Sequence, residues 1–293
     1  MYQAQQRGCI ILSIFRKKVF VKGIVIAAIL LVLAVITILF TPSDSIPVLS
    51  YHQINDKDLN PLTVSTSEFD AQMKYLSENG YHTISPAQLI SHLEDNTALP
   101  DKPIVITFDD GYKDNYQNAF PILQKYHQNA TIFLISDYVN TYEKYLTWDQ
   151  INEMQQYGID FESHTLSHMV LTEAKSDAEL NAQLIKSKEA LEWRLGKKIE
   201  YIAYPCGNYN RHIIELTKAA GYKGAFTVNF GRSKVGDPVY ALDRVPVFGC
   251  NSHTYLRFRL RLKCTQIFAP LQTFKTNLIQ NNHPFLARLI WVP

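Results

Sequence analysis

Short apolar segments alternate with helical patterns from Pro47 to about Leu262, and this alternation is the feature that most restricts the fold. The apolar segments are continuous and rich in β-branched residues, which is typical of strands buried on both faces of a parallel sheet. They are Ile104–Phe108, Ala130–Ile135, Ile159–Glu162 and Ile199–Tyr204. The helical patterns cover Glu68–Asn79, Asn115–His127, Thr147–Tyr157, Asp177–Leu195 and Arg211–Ala220. We therefore expect an α/β fold, either a parallel (β/α) barrel or a doubly wound sheet, with its chemistry at the carboxyl ends of the strands.

The N-terminal region carries a different signal, a run of 18 uncharged residues from Gly23 to Phe40. An apolar helix of ~20 residues crosses a bilayer, and Val19–Val21 extends the run to that length. The nearest cations before the run are Arg16, Lys17, Lys18 and Lys22, and Asp44 is the first charge after it. Because positive residues stay on the cytoplasmic side, we expect a cytoplasmic segment 1–18, a single-pass signal anchor 19–40 and a linker 41–46, with the catalytic domain outside the cell. A cleaved signal peptide is the alternative.

Composition excludes two broad classes of protein. The chain has 29 Lys+Arg and 27 Asp+Glu, a formal charge of +2, whereas nucleic-acid-binding proteins usually carry a marked basic excess. Hydrophobic residues make up 46%, which excludes a disordered chain. We expect a globular domain at 47–262 and a tail at 263–293 with no clear period. Arg257–Lys263 alternates cations with apolar residues, as expected of a contact with an anionic polymer or lipid, or simply of a basic edge strand or a solvated helix face.

Two adjacent carboxylates, Asp109 and Asp110, follow the strand-like run that ends at Phe108. Like charges at the end of a buried strand repel each other, and a cation between them would relieve that cost. The residues Thr107–Gly111 therefore indicate either a metal site or an ordinary Asp-Asp-Gly turn that caps the next helix.

A histidine pair, His164 and His168, follows another apolar strand. On a helical turn, side chains at i and i+4 share a face, so both imidazoles can reach one ion. Together with Asp110 they make a two-histidine, one-carboxylate set that suits a divalent metal, above all Zn²⁺, with Co²⁺ or Ni²⁺ as alternatives. Asp109 is then free to accept a proton from a water molecule that the metal activates, which predicts hydrolysis of an amide or ester.

The third element is a tight turn at Pro205-Cys206-Gly207, again where a strand ends. Such a turn exposes backbone N–H groups, and one of them is placed to stabilise an oxyanion. The rings of Tyr204 and Tyr209 are candidates for stacking on sugar rings. A plain turn with two interfacial tyrosines explains the same residues.

The TFDDG motif at 107–111, the HTLSH motif at 164–168 and the turn at 205–207, in this order and spacing, resemble the metal-dependent polysaccharide deacetylase family. The resemblance extends from about Pro47 to Val247. It implies a distorted (β/α) barrel that removes acetyl groups from N-acetylglucosamine polymers. It also implies that Asp109 is the general base, that Asp110, His164 and His168 bind the metal, and that Cys206 contributes an oxyanion N–H.

The chain departs from the family pattern at three places. Ala203 stands where the family often has an arginine, Cys206 replaces an aromatic residue, and no clean match exists for the C-terminal Leu-x-His, since His253 is a poor one. Further segments resemble the poly-N-acetylglucosamine deacetylases of the intercellular-adhesin type; they are Pro47–Ile54, Phe69–Tyr81, Ala203–Pro205 and Leu242–Val245.

This narrower resemblance implies substitutes for the missing residues. It implies that His52 replaces the missing histidine and that Arg244 orients Asp109. The expected activity is deacetylation of a cell-surface polymer, first poly-β-1,6-N-acetylglucosamine and second peptidoglycan. A non-catalytic glycan-binding relative is the alternative from another class. The sequence leaves the oligomeric state open.

Overall fold

Seven parallel strands close into a barrel, which confirms the α/β barrel and excludes the doubly wound sheet. The computed structural model describes residues 44–249 and 253–293. Its strands are β1 (Val48–Tyr51), β2 (Gln53–Ile54), β3 (Thr63–Val64), β4 (His82–Thr83), β5 (Pro103–Phe108), β6 (Thr131–Leu134), β7 (Asp160–Ser163), β8 (Tyr201–Ala203), β9 (Gly224–Phe230) and β10 (Leu242–Pro246). Strands β5 to β10 pair in sequence order, and β1 joins β10 to β5 and closes the ring. Strand β4 pairs with β5 outside the ring, and β2 pairs with β3 alone.

Helices surround the barrel and include every segment in which a helix was predicted. They are α1 (Thr66–Glu78), α2 (Pro86–Asp95), α3 (Phe120–Lys125), α4 (Trp148–Gln156), α5 (Asp177–Asn181), α6 (Ser187–Leu195), α7 (Arg211–Ala219), α8 (Thr254–Lys263), α9 (Thr265–Gln280) and α10 (Pro284–Arg288). One π-helical turn, Asn115–Ala119, leads into α3, and another, Ala182–Lys186, joins α5 to α6.

Helix α2 was not predicted, although the sequence contains its start signal. Ser85 caps the helix through a capping box with Gln88, and Pro86 takes the first turn. Its apolar side chains, among them Leu89 and Ile90, belong to one cluster with residues that fill the barrel. Because a Cβ on Gly224, the first residue of β9, would lie 2.2 Å from Ile90 Cδ1, α2 plugs the amino-terminal end of the barrel.

The compact unit of the structure extends beyond the predicted domain 47–262 on both sides. Residues Asp44–Pro293 form one compact unit. Ile46, placed in the linker, is buried and makes a two-bond bridge with Ser233. The predicted boundary after residue 262 falls inside α8, and Arg261 Nε donates to the carbonyl oxygen of Pro293 at 2.6 Å. The tail is therefore helical and packs against the barrel, because its last residues satisfy a buried guanidinium.

The predicted membrane span at 19–40 lies outside the described residues. Within residues 44–249 and 253–293, no helix is long and apolar enough to cross a bilayer.

Candidate active site

Strand alternation brings the candidate site residues to the carboxyl end of the barrel. Val105 and Thr107 of β5 face the interior, so Asp109 continues the same side, since side chains alternate along a strand. By the same alternation, His52 lies on the same side of the chain as Val48 and Ser50, and Arg244 lies on the same side as Leu242. Residues separated by up to 192 positions in the chain thus meet because β1, β5 and β10 are neighbours in the ring.

Asp109 and Arg244 form a buried, bidentate ion pair. Arg244 Nη1 donates to Asp109 Oδ1 at 2.8 Å, and Nη2 donates to Oδ2 at 2.6 Å. Arg244 is held in turn by the carbonyl oxygen of Thr227 at 2.6 Å and the hydroxyl of Thr107 at 3.1 Å. Burial alone would raise the pKa of Asp109, but the charge and hydrogen bonds of Arg244 hold that pKa well below its ordinary value. Asp109 is therefore a fixed, ionised carboxylate at neutral pH.

The cluster of possible metal ligands consists of Asp110, His164 and His168, whose ligand atoms all lie within 4.8 Å of one another. Asp110 Oδ1 is 3.4 Å from His164 Nε2 and 3.3 Å from His168 Nε2. This oxygen is buried, and among the described residues it has no hydrogen-bond partner of good geometry. A buried, unpaired carboxylate oxygen facing two imidazole nitrogens is costly without a cation. The residues therefore fit a divalent metal.

The histidine pair does not lie on a helical turn, so that part of the sequence argument was wrong. Residues 164–168 form an irregular loop after β7, in which Thr165 and His168 have φ values of 68° and 60°. The two rings nevertheless meet, with centroids 4.9 Å apart, because the loop folds back on itself. The His164 ring is oriented by its Nδ1, 2.8 Å from the carbonyl oxygen of Ala203, so its Nε2 faces Asp110.

His52 lies beside the carboxylate pair. Its Nε2 is 3.9 Å from Asp109 Oδ2, and 18% of its side chain is exposed. Burial lowers the pKa of His52 below its ordinary value, although Asp109 and Asp110 oppose the effect. An imidazole with a lowered pKa is neutral at neutral pH and has a nitrogen able to take up a proton.

The turn after β8 is built as predicted, but one of its residues has a different place. The 3₁₀ turn Pro205–Gly207 is closed by the N–H groups of Gly207 and Asn208, which donate to Tyr204 and Pro205. The N–H of Cys206 is not used in these bonds. Tyr204 is fully buried between the barrel and the surrounding helices, and its hydroxyl donates to the carbonyl oxygen of Tyr240. Its ring therefore cannot stack on a sugar, contrary to prediction.

The poor family match, His253, lies at the start of α8 on the protein surface. The structure therefore gives it no visible place in the carboxylate and histidine cluster formed by the described residues.

Sequence reasoning missed two sets of residues around the site. The first is a stacked tyrosine pair, Tyr112 and Tyr145, with centroids 5.1 Å apart. Burial raises the pKa of both phenols, and the nearby charge of Asp110 adds to the effect. Tyr112 directly follows the TFDDG motif, but Tyr145 gave no signal, because only the bridge between their backbones brings it there.

The second set ties the loop after β1 to the loop after β5. Asn115 Nδ2 donates to the carbonyl oxygen of His52 at 2.8 Å, and Asn55 Nδ2 donates to Asp114 Oδ2 at 2.7 Å. The first bond fixes the backbone of His52, and the second ties the residue after β2 to the same loop. The sequence placed Asn115 only at the start of a helix.

Comparison with known protein sequences gives consistent likenesses. A sequence profile described as polysaccharide deacetylase matches residues 96–225. YxkH of Bacillus subtilis, a protein named for the same family, is 37% identical over 202 residues, which cover 69% of this chain and 71% of that protein. The poly-β-1,6-N-acetyl-D-glucosamine N-deacetylase of Staphylococcus epidermidis is 28% identical over 61% of this chain and 71% of its own length. The protein of that name from Escherichia coli K12 is 25% identical, and the match covers 41% of its length.

Solved structures are similar as well. The deacetylase PplD of Streptococcus pyogenes, solved in complex with acetate, matches with a TM-score of 0.68 and 31% identity, over 74% of this chain and 97% of that one. IcaB of Ammonifex degensii matches with a TM-score of 0.65 and 26% identity, over 76% and 97%.

Proposed function

The chain belongs to the polysaccharide deacetylase family, and on that premise we propose that it is a metal-dependent hydrolase that removes N-acetyl groups from N-acetylglucosamine residues of a cell-surface polysaccharide. The observation that carries the proposal is that a buried base and a set of metal ligands lie next to each other in one cleft. Asp109, held by Arg244, is the base, and Asp110 with His164 and His168 is the metal-binding set. A glycan-binding remnant would have no need of both.

The metal supplies Lewis acidity when bound, since it polarises a carbonyl oxygen and lowers the pKa of a water molecule. The donor set of one carboxylate and two imidazoles fits Zn²⁺, with Co²⁺ or Ni²⁺ as alternatives. The other tasks belong to the chain itself. Asp109 takes the proton of the attacking water, and the N–H of Cys206 donates to the oxyanion of the tetrahedral intermediate.

The leaving nitrogen needs a proton before the carbon–nitrogen bond breaks. We assign its delivery to His52, whose Nε2 lies 3.9 Å from Oδ2 of Asp109, the residue that has taken the proton of the water. A neutral imidazole can take up that proton and pass it to the amine, so Asp109 is ionised again for the next cycle. Arg244 acts through Asp109 as a positioning residue.

Poly-β-1,6-N-acetylglucosamine is the polymer that we propose. Its support is the set of relatives whose names specify a deacetylase of this polymer, at 25–30% identity, and the likeness to IcaB. Peptidoglycan is the alternative substrate, because the linkage between sugars is recognised by the shape of the cleft and not by the metal ligands.

A position at the outer face of the cell membrane is part of the proposal. Its support is the apolar segment 19–40 with its uncharged run from Gly23 to Phe40, the cations near its start and the acid after it. If intact cells are treated with protease, the domain should be cleaved while the segment 1–18 is protected. Protection of the domain would contradict this orientation.

Acetate release by residues 44–293 tests the activity. We expect release from β-1,6-linked N-acetylglucosamine oligomers in the presence of Zn²⁺ or Co²⁺. Asp109→Asn should reduce the rate at least ~100-fold, because it removes the base. Asp137→Asn, at an exposed aspartate, is the matched control. Release only from peptidoglycan fragments would change the substrate, and no release from either would contradict the proposal.

Metal content separates the roles of the two neighbouring carboxylates. Purified wild type and Asp109→Asn should each bind about one divalent ion per chain when dialysed against Zn²⁺, whereas Asp110→Asn should bind much less. Equal binding by all three would exclude Asp110 as a ligand.

A further inference from the structure

The C-terminal segment, residues 254–293, has a charge pattern unlike the rest of the chain. Asp243 is the last acidic residue, so the 50 residues from Arg244 to Pro293 contain no carboxylate side chain. The segment has six cations, of which Arg261 is buried. The others are Arg257, Arg259, Lys263, Lys275 and Arg288. A segment with cations and no acids is electrostatically complementary to an anionic surface.

The same segment exposes large apolar side chains. Eight of the sixteen exposed large hydrophobic residues among those described lie within it, although it makes up only 40 residues. They are Leu256, Leu271, Phe274, Ile279, Phe285, Leu286, Leu289 and Trp291, with exposed fractions between 37% and 72%. Single exposed hydrophobic residues are ordinary, but a concentration of this kind marks an interaction surface.

Helix α9 carries uncharged polar side chains on one face and apolar side chains on another, and most residues of both sets are exposed. Its uncharged polar side chains face a pocket of about 480 Å³ whose other wall is formed by β9 and β10. They are Gln272, Thr273, Thr276, Asn277 and Gln280. Leu271, Phe274 and Leu278 are spaced by three and four residues, so they lie together on the opposite face. Leu271 is 37% exposed and Phe274 is 55% exposed.

The neighbouring elements continue this apolar face. Helix α10 packs against α9 and exposes Phe285, Leu286 and Leu289. Trp291 packs edge to face on Phe268 of α9, with ring centroids 5.8 Å apart. The guanidinium of Arg257, on α8, lies 5.8 Å from the centroid of the Trp291 ring. The surface therefore combines aliphatic and aromatic side chains with a cation, Arg257, beside the Trp291 ring.

We propose that this surface, formed by the outer faces of α8, α9 and α10, binds the interface of an anionic lipid bilayer. Apolar and aromatic side chains then enter the boundary between headgroups and acyl chains, and cations contact lipid phosphates. A second copy of the chain fits less well, because two surfaces with the same positive charge would repel each other. The binding is independent of the proposed activity and of the predicted segment 19–40, and it would hold the barrel at the membrane surface.

Vesicle binding by residues 44–293 tests the proposal, since these residues form a compact unit with a closed barrel. We expect cosedimentation with vesicles of phosphatidylglycerol and phosphatidylcholine, weaker binding to phosphatidylcholine alone, and weaker binding at high salt. Phe274→Glu should reduce the affinity at least tenfold. Val235→Glu introduces the same charge at a side chain that is also 55% exposed but lies outside the segment, and it should bind as wild type does.

Three results would overturn the proposal. The first is no binding to anionic vesicles by a fragment whose circular dichroism shows it folded. The second is equal affinity of the Phe274→Glu and Val235→Glu variants. The third is a stable dimer in solution that Phe274→Glu dissociates, with no vesicle binding, since the apolar face would then be a contact between copies. A blue shift of tryptophan fluorescence on binding that Trp291→Phe removes would place Trp291 in the lipid.

Discussion

Single buried charges determine what this barrel can do, and Asp109 is the clearest case. A carboxylate that is 1% exposed is costly unless a cation accompanies it, and Arg244, fully buried, provides both charge and two hydrogen bonds. The pair therefore keeps the proposed base ionised and fixes the direction of its oxygens. One of these oxygens, Oδ2, lies 3.9 Å from Nε2 of His52.

Arg244→Lys should separate charge from geometry at this pair. Lysine keeps the positive charge but cannot donate two parallel bonds or reach the carbonyl oxygen of Thr227 in the same way. We expect kcat/KM to fall at least ~10-fold and the free energy of unfolding to fall by about 2 kcal/mol. Arg194→Lys, at an arginine stacked on Trp193, is the control. Full activity of Arg244→Lys would show that charge alone is enough.

Glu162 gives a pH dependence of stability. It is 2% exposed, and burial raises its pKa to about 7, since the charge of Lys197 compensates only in part. The folded pKa lies above the unfolded value, so the contribution to stability is complete below pH ~4.5 and is lost as the pH rises through about 7. The free energy of unfolding of Glu162→Gln, relative to that of wild type, should increase by up to about 3 kcal/mol between pH 5 and 8.

Urea unfolding of the two proteins across that range measures the difference. Glu94→Gln, at an exposed glutamate, should show no such trend. The prediction would be contradicted if the difference in the free energy of unfolding between wild type and Glu162→Gln were the same at pH 8 as at pH 5. It would mean that Lys197 and the two N–H groups that donate to the carboxylate outweigh burial.

At the scale of elements, turns at the carboxyl ends of strands position the reactive groups. Four non-glycine residues with positive φ lie in these turns: Asp110, Thr165, His168 and Cys206. Such conformations cost free energy and persist only where packing imposes them. At this rim the turn after β8 packs on β9, where a Cβ added to Gly207 would lie 2.4 Å from Val228 Cγ2.

Gly207→Ala should displace the turn Pro205–Gly207, to which we assign the oxyanion N–H. Gly207 has φ of 69°, and an added Cβ would lie 2.7 Å from the backbone nitrogen of Val228. We expect kcat to fall by ~10- to 100-fold, because the Cys206 N–H moves, with a smaller change in KM. Gly236→Ala is the matched control, since Gly236 has φ of 93° but nothing within 4 Å of the added Cβ. Equal kcat in the two variants would exclude the turn from catalysis.

Helix α2 should affect stability and not chemistry. Leu89 is fully buried in the cluster that closes the amino-terminal end of the barrel, away from the site. Leu89→Ala should lower the free energy of unfolding by about 3 kcal/mol, because it leaves a cavity. Leu59→Ala, at a leucine that is 91% exposed, should have almost no effect. A thermal melt of Leu89→Ala equal to that of wild type would show that α2 does not support the barrel.

At the scale of the whole molecule, the ring of strands and the tail act as one unit. The tail contributes buried residues of its own, among them Thr265, Ala287 and Val292. It also supplies the carbonyl oxygen of Pro293 to Arg261. The barrel is therefore stabilised by chain that lies beyond its last strand.

Removal of the tail should destabilise the barrel. A fragment of residues 44–263 should unfold at least about 5 °C below residues 44–293, since Arg261 loses a partner and apolar surface becomes exposed. The shorter truncation 44–290 removes Trp291, the buried Val292 and the Pro293 contact but keeps α9 and α10, so it should lie between the two. Equal melting temperatures would mean that α9 and α10 rest on the barrel without stabilising it.

Sequence and tertiary structure determine different features of this protein. Local patterns determined the strands that carry chemistry, the helices between them, and the types of residue at the strand ends, because apolar period and glycine or proline signals act over a few residues. Thr107–Gly111 and His164–His168 were recognisable for that reason. Closure of the ring of strands brings Arg244 to Asp109 and Tyr145 to Tyr112. The burial of Tyr204 and the packing of the tail depend on the same closure. Only the tertiary structure determines these features, because packing across the whole barrel selects which distant strands pair and which face of a helix is buried.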